Sequence, residues 1–300
     1  MEHREVFQLN IGVIGGGAIG LLISAYLAKE HDITVYVRRE EQAEAIRKNG
    51  ILLKEAGQTM NVSSALSGNP GSEDLFIVCV KQSHILSVLP SLKLIGEDTP
   101  IIFLQNGMGH IEHVKRLKQP SMLGTVDHGA YKVNDFTVSH TGEGSIIVAP
   151  LHKKATNEVE KIRRRLHQPD FIFESQTDWY PMLINKLIVN AVINPVTTLF
   201  RVKNGAILEN SHIYHIAKEI CRETAAVLQL EFDSAWKRVK HVASATRENT
   251  SSMLKDILEN RKTEIEGITG YILQKNTSLQ LPYSTFIYYS IKAIEAIEET

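Results

Sequence analysis

Residues 12–20, GVIGGGAIG, indicate the fold of this chain. They contain the glycine pattern Gly15-x-Gly17-x-x-Gly20, with a short apolar run before it and a helical pattern after it. A glycine at position 15 permits a tight turn, one at 17 lets the backbone approach a pyrophosphate, and one at 20 lets the helix lie close to the sheet. The free N–H groups at the start of the helix then face the phosphates. These features predict a dinucleotide-binding turn, and the alternative is a glycine-rich turn that binds no ligand. The predicted cofactor contacts in the turn are Gly15, Gly16, Gly17, Ala18, Ile19 and Gly20.

Short apolar runs alternate with helical patterns around this turn. The predicted strands are NIGVIG at 10–15, DITVYVR at 32–38, DLFIVCVK at 74–81 and PIIFLQN at 100–106, and the predicted helices span 18–30 and 40–50. Continuous apolar strands are typical of a parallel sheet with both faces covered, so the alternation predicts a doubly wound α/β sheet of the Rossmann type. Residues 136–150, FTVSHTGEGSIIVAP, predict an antiparallel hairpin that turns at 141–144.

The pattern changes near Thr177, where strand-like runs cease and helical periodicity continues to the end of the chain. Residues 213–230 and 284–299 both show this periodicity. We therefore predict two domains. Residues 1–177 form an α/β domain that binds the dinucleotide, and residues 178–300 form an all-α domain that carries substrate binding and catalysis.

Composition and charge argue against several classes of partner. The chain has 300 residues, enough for two hydrophobic cores, and its formal net charge of −1 favours neither nucleic acid nor membrane binding. The first residues, MEHREVFQLNIGVIGG, lack the apolar segment of a signal peptide, and no run of about 18 apolar residues occurs. Cys79 and Cys221 are expected to be buried free thiols, with a disulfide between them as the alternative. We predict a cytoplasmic protein that holds no metal.

The end of the second predicted strand indicates which dinucleotide is bound. Proteins that bind NAD place Asp or Glu there for the ribose hydroxyls, whereas this chain has Arg38 and Arg39. A guanidinium can hold a 2′-phosphate through two parallel hydrogen bonds. The pair favours NADP(H) over NAD(H), with Arg38 as the expected phosphate contact. A solvated cation at the start of the next helix is the alternative for either arginine.

Two further strand ends carry polar residues. Lys81 follows the run FIVCV, and Asn106 follows IIFLQ and opens NGMG. Ligands of open α/β sheets bind beyond the carboxyl ends of the strands, so both residues are placed to reach the nicotinamide half of a cofactor. A loop or helix-capping role is the alternative for each.

The segment NKLIVNAVINP at 185–195 combines an apolar helical pattern with polar residues at intervals of four. Lys186, Asn190 and Asn194 share one helix face, and burying each without a partner would cost about 1–3 kcal/mol. Pro195 is expected to end the run and to bend the helix by freeing the carbonyl of Ala191. The face is therefore predicted to line a ligand cleft, and a solvated polar stripe is the alternative.

A second polar cluster precedes another apolar helical run. Asn249, Thr250, Ser251 and Ser252 stand where N-caps occur, although a helix start also suits a substrate carboxylate. Glu264 lies among apolar residues of a later helical pattern, where a surface position is the ordinary interpretation.

Three strings resemble ketopantoate reductases (2-dehydropantoate 2-reductases), in the same order and spacing over essentially the whole chain. They are GVIGGGAIG with YVR, LQNGMG, and KLIVNAVINPVTT followed by NTSSMLKDI and RKTEIEGITGY. The resemblance implies a Rossmann domain, a helical C-terminal domain of the 6-phosphogluconate-dehydrogenase type, and an active site in the cleft between them. It implies NADPH-dependent reduction of 2-dehydropantoate to (R)-pantoate, on the route to pantothenate and coenzyme A. KEHDITVYVR is one residue shorter than in the family, which leaves Arg38 in place.

The resemblance also implies roles for individual residues. Lys186 matches the catalytic lysine of the family and Glu264 its acidic residue at cofactor and substrate, and we predict both as catalytic. The implied cofactor contacts outside the glycine-rich turn are Arg38, Lys81, Asn106, Ala130 and Glu264. The implied substrate contacts are Asn106, Lys186, Asn190, Asn194, Asn204, Asn249 and Ser252, with the serine near the carboxylate.

The expected chemistry is hydride addition to a ketone, which builds negative charge on the ketone oxygen. Lys186 can stabilise that charge and then deliver a proton, while the neutral Asn190 and Asn194 orient the substrate. Two alternatives stay open: a related NADP-dependent reductase of another 2-keto or 3-hydroxy acid, and an NADP(H)-binding protein without turnover. The expected partner is a small-molecule substrate, and the protein is expected to be a monomer or a homodimer.

Overall fold

The computed structural model describes residues 8–298. The predicted domain limits at residues 1 and 300, and the first seven residues of the segment assessed for a signal peptide, lie outside the described residues. The described chain forms two compact units. Residues 8–105 and 111–179 form the first unit, and residues 106–110 and 180–298 form the second. The sequence-based division at 177/178 assigned 106–110 to the first domain, whereas these residues pack with the second unit.

The first unit contains two β-sheets. Its strands are β1 (Asn10–Ile14), β2 (Asp32–Val37), β3 (Ile51–Leu53), β4 (Gln58–Met60), β5 (Ser63–Leu66), β6 (Leu75–Val78), β7 (Ile101–Phe103), β8 (Ser121–Val126), β9 (Gly129–Lys132), β10 (Thr137–Gly142), β11 (Ser145–Pro150) and β12 (Ile172–Ser175). The large sheet has the order β12-β11-β8-β7-β6-β1-β2-β5 and is parallel except for the β8–β11 pair. The small sheet has the order β4-β3-β10-β9. The predicted α/β fold of this unit is confirmed.

The predicted hairpin over 136–150 is wrong. Strand β10 pairs with β9 and β3 in the small sheet, and β11 pairs with β8 and β12 in the large one. The chain crosses between sheets at Gly144, where an added Cβ would lie 2.5 Å from the backbone of Asp127. Local alternation and turn residues predict a reversal of the chain, but the strand partners are chosen by long-range packing.

Five helices accompany these strands: α1 (Ala18–Leu27), α2 (Glu40–Asn49), α3 (Ile85–Leu92), α4 (Ile111–Val114) and α5 (Thr156–Leu166). Helix α1 packs against β1 and β2 of the large sheet and against β3, β9 and β10 of the small sheet. It ends at Leu27 and not at residue 30, because the amides of Lys29 and Glu30 bond to carbonyls three residues back. Gly50 ends α2 with φ +68°, as expected for a glycine C-cap.

The described residues of the second unit form helices joined by loops and include no strand, which confirms the predicted all-α domain. Its helices are α6 (Trp179–Phe200), α7 (Ala206–Glu209), α8 (Ser211–Leu228), α9 (Phe232–Ala245), α10 (Ser252–Leu258), α11 (Tyr271–Lys275) and α12 (Pro282–Glu298), with a π-helix at Glu266–Gly270. By length and composition α6 could cross a membrane, but 72% of its most apolar window is buried within the protein. Helix α6 is therefore the core helix of this unit.

Pro195 does not end α6, which continues five residues further to Phe200. The hydroxyls of Thr197 and Thr198 donate to the carbonyl oxygen of Asn194, at 3.2 and 2.6 Å, and Thr197 also donates to that of Ile193 at 2.7 Å. Pro195 removes only the N–H that would bond the carbonyl of Ala191, and burial of the turn after the proline stabilises the helix beyond it.

Both cysteines are free thiols, as predicted. Burial raises the pKa of the Cys79 thiol and of the Cys221 thiol to about 12. Both therefore remain protonated and unreactive at neutral pH.

We expect Gly20→Ala to destabilise the first unit by about 2 kcal/mol, because the new methyl group would overlap backbone that cannot move away. A Cβ at this position would lie 1.8 Å from the carbonyl oxygen of Gly15. Urea unfolding followed by circular dichroism measures the loss. Gly17→Ala is the matched control, since a Cβ there meets nothing within 4 Å. Equal urea midpoints for Gly20→Ala and Gly17→Ala would contradict the close approach of α1 to the Gly15 carbonyl.

Candidate active site

The glycine-rich turn has the geometry that its sequence predicts. Gly15 has φ +116°, and its N–H donates to the carbonyl oxygen of Tyr36 at 2.8 Å. Gly17 is the N-cap of α1, is exposed and offers no side chain to the free amides of the first turn. The turn therefore presents unobstructed backbone donors at the positive end of a ten-residue helix, a suitable arrangement for a phosphate.

Gln42 supports this turn, although its sequence context gave no indication of that role. Its side-chain amide donates to the carbonyl oxygens of Gly16 at 2.8 Å and Asp135 at 3.1 Å. The residue is only 6% exposed, on a helix whose composition reads as charged and solvated. A single glutamine in such a helix carries no periodic signal, so only the tertiary structure reveals the contact.

The two neighbouring arginines differ in their surroundings. Arg39 pairs with Asp135 at 2.5 Å, and Lys132 contacts the same carboxylate oxygen at 2.9 Å. Partial burial opposes ionisation of Asp135, but hydrogen bonds from Lys132 and Arg39 outweigh it and lower the pKa of the carboxyl. Arg38 is exposed and has no hydrogen-bond or ion-pair partner among residues 8–298. The guanidinium of Arg38 is thus the one available to bind an added phosphate.

Two other predicted cofactor contacts of the first unit lie on different elements. Lys81 is half-buried and directly precedes the 3₁₀ helix Gln82–His84 that follows β6. Ala130 lies on β9 of the small sheet, where it is half-buried against the core around α1. Their contact with a cofactor stays a prediction.

The predicted polar face on α6 is its less buried side. Lys186 and Asn190 are half-buried and Asn194 is 7% exposed, while the apolar residues between them are buried. The side chain of Asn190 has no hydrogen-bond partner within the described chain. A half-buried amide with free donors and acceptors is able to bind a polar ligand.

The start of α10 lies against this face. The amide of Asn194 approaches the hydroxyl of Ser252 at 3.5 Å, and the hydroxyls of Thr197 and Ser251 are hydrogen-bonded to each other at 2.8 Å. Ser251 is the N-cap and accepts from the amide of Leu254 at 3.3 Å. One of the four polar residues is therefore a cap, as expected, and Ser252 is left exposed beside Asn194.

Asn204 and Asn249, two predicted substrate contacts, are joined through the backbone. Asn204 is 7% exposed, and its N–H donates to the carbonyl oxygen of Asn249 at 3.1 Å. Its side-chain amide donates to the hydroxyl of Thr246 at 2.9 Å. Asn204 thereby holds the turn that carries Asn249, whose side chain is exposed.

Glu264 and Asn106 come together within the second unit although 158 positions separate them. The Asn106 amide donates to a Glu264 carboxylate oxygen at 2.9 Å, and the Met108 N–H donates to the carbonyl oxygen of Gly267 at 3.2 Å. Glu264 stands just before the π-helix at Glu266–Gly270, a type of irregularity that is frequent at functional sites. Glu264 is half-buried, which corrects its ordinary interpretation as a surface residue.

A parallel sheet with a glycine-rich turn, joined to a helical unit with a lysine–asparagine face, is the architecture of two-domain dinucleotide-dependent oxidoreductases. The chain belongs to the ketopantoate reductase family. The family model described as "Ketopantoate reductase PanE/ApbA" matches residues 11–153, and the model of its C-terminal domain matches residues 178–295.

Individual relatives agree with this assignment. The 2-dehydropantoate 2-reductase of Bacillus subtilis (strain 168) is 42% identical over 294 residues, covering 96% of this chain and 98% of the relative. A crystal structure of a probable 2-dehydropantoate 2-reductase from Bacillus subtilis superposes with a TM-score of 0.87 at 40% identity, covering 95% of this chain and all of that one. A D-mandelate dehydrogenase with NADH and anilino(oxo)acetate has a TM-score of 0.88 at 22% identity, covering 97% of this chain and all of that one. The last comparison shows the fold alone.

We expect Arg38→Ala to weaken NADPH binding about 30-fold and NADH binding little, because a charge-assisted contact to the 2′-phosphate is lost. Arg39→Ala is the matched variant and should have a smaller effect, since that guanidinium is already paired. Titration of cofactor fluorescence measures both affinities. Equal weakening of NADPH and NADH by Arg38→Ala would contradict the phosphate contact.

The adjacent serines allow a second comparison. Ser251→Ala should lower the free energy of unfolding by about 1 kcal/mol, because α10 loses its N-cap and the Thr197 hydroxyl loses a hydrogen-bond partner. Ser252→Ala should leave stability unchanged and raise the KM for the substrate. Thermal unfolding and steady-state kinetics separate the two effects. A loss of stability in Ser252→Ala but not in Ser251→Ala would show that Ser252, and not Ser251, is the N-cap.

Proposed function

We propose that this protein is an NADPH-dependent oxidoreductase that reduces 2-dehydropantoate (ketopantoate) to (R)-pantoate in the biosynthesis of pantothenate and coenzyme A. The observation that carries the proposal is the polar face of α6, with Lys186 and Asn190 half-buried and Asn194 buried, in a chain of the ketopantoate reductase family. The relative that is 42% identical bears the name of this activity.

The residues of the glycine-rich turn fit NADP(H). The backbone at Gly17 is unobstructed, and the Arg38 guanidinium has no partner within 8–298. The chemistry that bound NADPH supplies is a hydride for the ketone carbon. We assign pyrophosphate binding to the turn 15–20 and binding of the 2′-phosphate to Arg38. The further cofactor contacts that we propose are Lys81, Asn106, Ala130 and Glu264.

Lys186 has the central role in the proposed reaction. As the ketone carbon gains a hydride, negative charge develops on its oxygen, and the lysine ammonium stabilises this charge and then donates the proton. The amine that remains is reprotonated from solvent. Asn190 and Asn194 bond the substrate oxygens without adding charge, which fixes the ketone for attack.

The remaining residues hold the substrate and the reacting groups in place. Ser252 and Asn249 are exposed hydrogen-bonding side chains suited to the carboxylate end of the substrate. Asn204 secures the turn of Asn249. Glu264 accepts the hydrogen bond of Asn106, so each fixes the orientation of the other.

We further propose a cytoplasmic enzyme, a monomer or a homodimer, whose partner is a small molecule and not a nucleic acid or a membrane. The balanced charge of the chain supports this assignment. By the same proposal, residues up to 177 carry cofactor binding and those from 178 carry substrate binding and catalysis.

The decisive experiment measures NADPH oxidation by absorbance with and without ketopantoate, with NADH as the comparison. We expect oxidation that depends on ketopantoate and prefers NADPH. The alternative of a related reductase is tested with a panel of other 2-keto acids, and with 3-hydroxy acids in the presence of NADP⁺. Faster turnover of a panel member would replace the proposed substrate, and binding of NADPH without oxidation of it would indicate a protein without turnover.

We expect Lys186→Ala to lower kcat about 10³-fold with little change in the Kd for NADPH, because the oxyanion loses its cation and its proton donor. Lys237→Ala, an exposed lysine on α9, is the matched control. Stopped-flow and steady-state kinetics give both quantities. Near-normal turnover of the Lys186 variant would remove the lysine from the mechanism.

A further inference from the structure

Glu295 is a buried carboxylate on α12 with no place in the chemistry proposed above. It is only 7% exposed. Burial of a carboxylate is costly unless hydrogen bonds replace its hydration, so its partners indicate what it does. One of those partners, Thr263, directly precedes Glu264 in the chain.

Three donors surround the Glu295 carboxylate, and two of them belong to one residue. Oxygen Oε1 accepts from the N–H of Thr263 at 2.8 Å and from the Thr263 hydroxyl at 2.6 Å. Oxygen Oε2 accepts from the Lys292 ammonium at 2.9 Å. Burial raises the pKa of Glu295, but the bonds from Thr263 and Lys292 outweigh it and lower the pKa. The carboxylate is therefore ionised at neutral pH, and its bonds would be lost only as the pH falls through this lowered pKa.

Thr263 directly precedes Glu264, so its anchoring fixes the backbone on the amino side of Glu264. The Thr263 hydroxyl also accepts from the N–H of Ile265 at 3.2 Å, and Ile265 is fully buried. On the other side, the N–H groups of Gly267 and Ile268 donate to the Glu264 carbonyl oxygen at 3.1 and 3.2 Å. The backbone of Glu264 is thus held between Glu295 and the first turn of the π-helix.

We propose that Glu295 is a positioning residue for the reaction. Its hydrogen bonds with Thr263 fix the backbone next to Glu264, and they thereby fix the position at which the Glu264 carboxylate accepts the hydrogen bond of Asn106. The inference rests on the proposed function, because it gives Glu264 and Asn106 roles in that reaction. Displacement of a reacting group by about 1 Å can lower turnover about 100-fold. Glu295 would therefore affect kcat without contacting substrate or cofactor.

The positions of the three donors supply matched variants. Glu295→Ala removes both acceptors. Glu295→Gln keeps an acceptor for Thr263. Lys292→Met keeps the whole carboxylate while removing its cation, which also pairs with Glu266 at 3.2 Å. We expect Glu295→Ala to lower kcat/KM for ketopantoate about 100-fold, and Glu295→Gln and Lys292→Met to stay within about fivefold of the unaltered enzyme.

A double-mutant cycle with Glu264→Ala, which removes the acceptor for Asn106, separates positioning from general damage to the fold. If Glu295 acts through Glu264, Glu295→Ala should change kcat/KM by less than about twofold once Glu264→Ala is present. Equal losses in both backgrounds would overturn the inference, because a merely structural defect lowers activity whichever residue stands at 264.

Hydrogen–deuterium exchange of the peptide spanning 259–270 provides a readout that does not depend on turnover. Glu295→Ala should speed exchange of the Thr263 amide, while Glu295→Gln retains its protection. Unchanged protection in Glu295→Ala would overturn the positioning role even if activity fell. An unaltered enzyme that fails to oxidise NADPH with ketopantoate would instead overturn the proposed function, so the two failures are distinguishable.

Discussion

The close approach of α1 to the turn before it is the constraint on which the first unit depends. At Gly20 the helix comes so near the Gly15 carbonyl that no side chain can be accommodated. The helix is then enclosed by strands of both sheets, and eight of its ten residues are buried. Its open end at Gly17 is left as the place where a ligand can reach the backbone. Tight packing on one side of the turn and free donors on the other result from the same few glycines.

The second unit depends on a single helix that serves both as core and as binding surface. Fourteen of the 22 residues of α6 are buried, and the remaining half-buried positions include Lys186 and Asn190. Because the apolar residues around them fix the helix, the polar side chains are carried by a rigid element and not by a loop. Thr197 and Ser251 join this helix to the start of α10, which brings Ser252 to Asn194. The polar groups are thus fixed by the same packing that stabilises the unit.

The hydrogen bonds of three buried polar residues hold segments that carry predicted site residues. Gln42 secures the glycine-rich turn, Asn204 secures the turn of Asn249, and Glu295 secures Thr263. The side chains of Gln42 and Glu295 bond to backbone atoms, and Asn204 bonds to Asn249 through its own backbone N–H. Each bond limits how far the neighbouring segment can move. The bonded atoms of these side chains favour one arrangement, since any shift leaves a donor or acceptor without a partner.

The amino-acid sequence was enough to predict the α/β and helical units, the glycine-rich turn, the adjacent arginines and the polar face of α6, because each is visible in residues that are neighbours or that recur within four positions. It did not determine the partners of β10 and β11, the continuation of α6 through Pro195, or the membership of 106–110 in the second unit. Only the tertiary structure distinguished the paired Arg39 from Arg38 and brought Asn106 to Glu264 and Glu295 to Thr263. Those features depend on contacts between residues far apart in the chain, and such contacts are selected by burial and by the satisfaction of polar groups, which leave no periodic trace in the sequence.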